Sequence, residues 1–180
     1  MAVSPDQAAE MLHDVESTQS RSRELRGYQR GSPHLILWGA LWVIAYPASG
    51  LLPEAAWLLW AITVAIGIAG DAAIGWGNTK LIRTWRYYAA IFSVVLFITG
   101  TYFILRPTHP PQYEAFPPLV VAVAYALVGV CWLPRFLLLG AVLFVLTLAG
   151  YIWLQPWFAF WMAGVGGGSL IIGGLWLRSA

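Results

Sequence analysis

The chain has 180 residues, of which 59% are hydrophobic and 10% charged, with a mean hydropathy of +0.70 and a formal net charge of +2. An ordinary soluble domain carries about 25% charged residues, so this composition excludes a water-soluble fold and predicts a single integral membrane protein. The small net charge argues against nucleic-acid binding, and a lone cysteine, Cys131, excludes an intrachain disulfide; lying in an apolar run, it is expected to be a small core residue.

The chain opens on a polar tail with Asp6, Glu10, Asp14, Glu16 and Glu24. A secretory signal needs an apolar stretch here and transit peptides avoid acids, so the first span is expected to act as its own uncleaved targeting signal. Ser4, Pro5 and Gln7 fit an N-cap, a first helical position and a capping-box partner. Ala8, Met11, Leu12 and Val15 then recur at helical spacing. Acids at 6–16 and arginines at 21–30 suit the helix dipole, and the basic end would lie against anionic headgroups. Residues 1–32 therefore read as a cytoplasmic amphipathic tail ahead of a transmembrane domain, 33–180. Its stripe of Met11, Leu12 and Val15 would pack on the protein's own loops or dock a soluble partner in a groove.

A helix needs about 20 apolar residues to cross the hydrocarbon core. Six runs qualify: 34–52, 55–77, 87–105, 117–133, 135–154 and 157–177. Pro47 lies late in the first and is expected to kink it, which buried neighbours tolerate. Short links make the first and second, fourth and fifth, and fifth and sixth runs antiparallel neighbours. The whole reads as an all-α bundle of six transmembrane helices in three antiparallel hairpins. Arg21, Arg23, Arg26, Arg30, Lys80, Arg83, Arg86, Arg135 and Arg178 fall on one side and Arg106 alone on the other, which places both termini in the cytoplasm. Trp57, Trp76, Trp85, Trp132, Trp153, Trp157 and Trp176 lie near the span ends as interfacial anchors. A shift of 101 residues aligns Pro33 with Pro134, Gly39 with Gly140, Trp60 with Trp161 and Gly67 with Gly168, the pattern of a parallel duplication of the first and last hairpins.

Asp71 is the one acid inside these apolar runs, five residues before Trp76 and about 7 Å from the cytoplasmic interface at 1.5 Å per residue. An intramembrane acid is a functional candidate by default. The preferred expectation is a structural pair with His34 or Arg135, both on the same membrane side; an ion or proton role and simple interfacial solvation are the alternatives. His34 and His109 fall on opposite sides and so do not supply two axial ligands to one haem. Gly164 and Gly168 form a G-x-x-x-G in the sixth run, and Gly67 and Gly70 lie in a small-residue stretch of the second. Membrane helices adhere through such residues, so these glycines are expected to pack the second helix on the sixth, with a homo-oligomer contact as the alternative. The far-side link, 106–118, is rich in proline and is expected to be a stiff extended spacer. Its His109 and Glu114 are too few ligands for a metal site. No motif points to catalysis, a metal or any other cofactor.

The run RGYQRGSPHLILWGALW, 26–42, resembles the start of the first span in small, uncharacterised multi-pass inner-membrane proteins of bacteria. The resemblance implies a bacterial inner-membrane location and no activity. The preferred function is a non-enzymatic regulatory or accessory membrane protein whose tail and loop 78–86 contact a protein partner or a larger membrane complex. A small transporter or channel using Asp71, and a binder of lipid, quinone or pigment, are the alternatives.

Overall fold

The structure is a computed structural model that describes residues 5–75 and 81–179. Every regular element among them is helical, and six helices are long and apolar enough to cross a membrane. Helix α1 spans Pro5–Leu51 and leads through a 3₁₀ turn, Pro53–Ala55, into α2, Ala56–Gly75. Then come α3, Leu81–Leu105, α4, Pro110–Cys131, and α5, Pro134–Trp153. The sixth span, Gln155–Arg178, is composite. A 3₁₀ turn, Gln155–Trp157, precedes a short α6, Phe158–Trp161; a π-helical stretch, Met162–Gly167, then leads into α7, Gly168–Arg178. The expected cap at Ser4 lies outside the described residues.

Helix α1 departs from expectation in its continuity. The tail and the first span form one helix of 47 residues that passes through Pro33 and Pro47. Neither proline ends it, because tertiary contact holds the chain on both sides of Pro33. Gly27 and Gly31 lie so close to the start of α5 that a Cβ would stand 2.7 Å from Leu133 and 2.9 Å from Phe136.

Helix α4 departs more sharply. It begins at Pro110, so most of the segment expected to be an extended spacer is helical. Pro110 and Pro111 occupy the first turn, where a missing N–H costs nothing. Gln112 Oε1 accepts the backbone N–H groups of Thr108 and His109 at 3.2 and 3.5 Å. Pro117 and Pro118 are harder to place, since each removes the N–H that the carbonyl four residues back would accept. Those carbonyls belong to Tyr113 and Glu114. The Tyr102 hydroxyl of α3 donates to the first, and the Tyr46 hydroxyl of α1 donates to the second at 2.9 Å. Two tyrosines from neighbouring helices thus replace the two donors that the prolines lack. Tyr46 is fully buried, so Tyr46→Phe should strand a carbonyl and lower stability by about 1–3 kcal/mol. Thermal unfolding in mild detergent measures this, and an unchanged midpoint would show that the carbonyl does not depend on Tyr46.

Helix α1 is the centre of the bundle. It lies against α2 on one side and the sixth span on the other, and it reaches α4 through Tyr46. Its Tyr28, Leu35, Trp42 and Tyr46 form the core with Phe158, Met162, Leu170 and Leu177 of the sixth span. Helices α4 and α5 also pack closely, with Gly140 of α5 facing the Ala122 carbonyl of α4. Helix α3 stands apart. None of its apolar window is buried, and Phe97 and Tyr102 attach it to Tyr113 and Phe116 of α4. Positions aligned by the proposed repeat pack differently: Gly39 faces the sixth span and Gly140 faces α4, while Pro33 lies inside a helix and Pro134 begins one.

Candidate functional site

The site around Asp71 is built by two helices with matching spacing. On α1, His34, Leu37 and Trp38 are at i, i+3 and i+4, one face of the helix. On α2, Gly67, Gly70 and Asp71 repeat that spacing. A Cβ at Gly67 would come within 2.5 Å of the Trp38 ring, and one at Gly70 within 2.7 Å of Leu37. The two glycines therefore let the large α1 side chains lie on the α2 backbone, and they bring Trp38 to the level of the acid one turn further on.

The Asp71 side chain has no exposed surface, whereas that of His34 is 30% exposed. Asp71 Oδ1 lies 2.6 Å from His34 Nδ1, and Oδ2 accepts from Trp38 Nε1 at 2.9 Å. A carboxylate only accepts, so the proton of the first bond belongs on His34 Nδ1. Both oxygens are thus engaged by donors from one helix. Bonds to an ionised acceptor are about twice as strong as neutral ones. The arrangement clamps α2 to α1 through a buried charge-assisted pair.

Of the two partners expected for Asp71, the structure places His34 against it and Arg135 elsewhere. The Arg135 guanidinium lies over the rings of Tyr28, at 5.1 Å, and Trp176, at 4.9 Å. The remaining candidates scatter. Gly67 and Gly70 pack on α1 rather than on the sixth span. At Gly164 and Gly168 a Cβ would meet nothing within 4 Å. The close approach is made instead by Gly167, where a Cβ would stand 2.8 Å from the Gly39 carbonyl, and by Gly174, 3.0 Å from the Ser32 carbonyl. Gly167 and Gly174 are seven residues, or two turns, apart and share the buried stripe of Ala159, Ala163 and Leu170, whereas Gly164 and Gly168 lie on the neighbouring, more open stripe.

Met11, Leu12 and Val15 are 62%, 62% and 52% exposed. Cys131, expected in the core, is exposed at the end of α4. No group of three or more potential metal ligands forms among the described residues. Loop 78–86 lies outside the described residues except for the helical backbone from Leu81.

Sequence reasoning missed Trp38, Tyr46 and Tyr102. Each left a signal: Trp38 is four residues after His34 and so shares its face, and each proline in α4 marks a carbonyl four residues earlier that needs a donor. No family model matches the chain, and neither a curated protein nor a solved structure does.

Proposed function

We propose that this is a non-enzymatic accessory or regulatory protein of the bacterial inner membrane, whose tail docks a protein partner or a larger membrane complex. Both termini lie in the cytoplasm in this reading, and the spans alternate as three antiparallel hairpins. The observation that carries it is that α1 continues as helix to Pro5 while Met11, Leu12 and Val15 remain exposed along it. An apolar stripe in water is costly to maintain, and a helix presenting one suits a groove on another protein. The distribution of Lys and Arg supports the orientation. In this reading the Asp71 clamp is structural and keeps α1 fixed beneath its projecting end.

A photo-crosslinking residue at position 15, in native membranes, tests the reading. An adduct with another protein is expected from position 15 and none from a matched site at Leu58, an exposed position within α2. Deleting residues 2–20 should remove the partner and leave the unfolding midpoint unchanged. A deletion that collapses the solubilised fold, or the absence of any adduct, overturns it.

A further inference from the structure

We infer that the face of α5 beginning at Arg135 is a binding site for one anionic phospholipid, with its phosphate on Arg135 and an acyl chain along the helix below. This goes beyond the accessory role and does not depend on it. The cation is prepared for an anion. Its guanidinium is held over Tyr28 and Trp176, which restricts the side chain but supplies no negative charge. Among the described residues no carboxylate lies within ion-pair distance of it. Glu24, one turn before Tyr28, accepts from the Tyr28 hydroxyl at 2.6 Å, and that hydroxyl in turn accepts the Arg135 backbone N–H at 3.3 Å. Arg135 remains partly exposed.

The surface below the cation is apolar and open. Leu138, Val142 and Leu146 follow Arg135 at i+3, i+7 and i+11, so they lie on the same strip of the helix. With Ala141 and Val145 they line a shallow hollow of about 660 Å³. A second hollow of about 200 Å³ adjoins it between α4 and α5 and shares Ala141 and Val145. From Arg135 to Leu146 the strip descends about 16 Å at 1.5 Å per residue, the depth of one leaflet of a core about 30 Å thick. A cation with no carboxylate within ion-pair distance among the described residues, set above an open apolar strip one leaflet long, matches a phospholipid in charge and length. Interfacial basic side chains attract anionic lipid on general grounds. What distinguishes this one is that its orientation is set by two rings and that it heads a trough.

Lipid retention by the delipidated full chain, read by native mass spectrometry after adding dioleoyl phosphatidylglycerol or dioleoyl phosphatidylcholine in mixed micelles, tests the site. The wild type should retain one phosphatidylglycerol in preference to phosphatidylcholine, and inorganic phosphate alone should not compete. Arg135→Gln should weaken phosphatidylglycerol retention about fivefold, the effect of one interfacial charge, and leave phosphatidylcholine unchanged. Arg178→Gln removes an exposed cation in the last turn of α7 and should change little. Ala141→Phe fills the exposed trough without touching Arg135 and should reduce retention of both lipids; it decides the matter if Arg135→Gln does not fold. Equal retention of the two lipids, displacement by free phosphate, equal losses from the two arginine variants, or unchanged retention in Ala141→Phe would each overturn the site.

Discussion

Asp71→Ala should destabilise the solubilised protein by about 3–6 kcal/mol, the loss of two hydrogen bonds to one charged acceptor at about 1.5–3 kcal/mol each. Two donors are stranded at once, His34 Nδ1 and the Trp38 indole, in a place where the carboxylate has no contact with solvent. Asp71→Asn keeps one acceptor oxygen and the side-chain volume, and it should lose about 1.5–3 kcal/mol, the range for bonds to a charged group. Double variants of Asp71→Asn with His34→Ala or Trp38→Phe should cost less than the sum of the singles, because the second change removes a group already deprived of its partner. Gly67→Ala should act on the same unit from a distance, since a Cβ there displaces the ring that carries the donor. Thermal or denaturant unfolding in mild detergent reads all of these. Unchanged stability in Asp71→Asn, together with loss of a pH-dependent flux in proteoliposomes, would replace the clamp with a transport role.

Gly39→Val and Gly167→Val should be damaging for a steric reason. At either glycine the added Cβ meets the carbonyl oxygen of the other, at 2.7 or 2.8 Å, and further backbone of the opposite helix at 2.9 Å. Side-chain carbons of Ile171 and Val43 lie equally close, at 2.7 and 2.8 Å, but moving them would leave the backbone contacts in place, so the interface between α1 and the sixth span must open. Overpacking costs about 1–3 kcal/mol even in a yielding core, and backbone against backbone belongs at or above the upper end. Gly164→Ala and Gly168→Ala are the controls. Both positions have room for a methyl group. Each variant should be neutral or stabilising by up to about 1 kcal/mol, the helix preference of alanine over glycine. If the second pair destabilises as much as the first, the helices meet along a different stripe.

Apolar length made the six spans legible, because a bilayer admits few alternatives to a helix of about 20 apolar residues. The nearness of His34 to Asp71 was legible for a related reason: a short link between the first two spans and their common end leave few polar groups at that depth. Trp38 was hidden among eleven tryptophans, seven of which read as interfacial anchors near the span ends. The start of α4 was misplaced because clustered prolines favour an extended chain locally, and the tyrosines that offset Pro117 and Pro118 sit on other helices, Tyr46 as far as 68 residues from the carbonyl it serves. The packing glycines were misplaced because the sixth span carries glycines on two neighbouring stripes, and composition alone does not say whether 164 and 168 or 167 and 174 face α1. The continuity of α1 escaped notice because the contacts that hold Gly27 and Gly31 come from more than a hundred residues away.

The arrangement of Tyr46 and Pro118 constrains the order in which the chain could change over generations. While Pro118 is present, the Glu114 carbonyl relies on the Tyr46 hydroxyl, and losing that hydroxyl is harmful. Once residue 118 is alanine, its own N–H can serve the carbonyl, and Tyr46→Phe becomes far less costly. The same substitution at position 46 is therefore damaging in one background and nearly silent in the other, although the two residues lie 72 positions apart. A lineage can discard the tyrosine safely only after it has discarded the proline. Among descendants, phenylalanine at 46 beside proline at 118 should accordingly be the rare combination of the four.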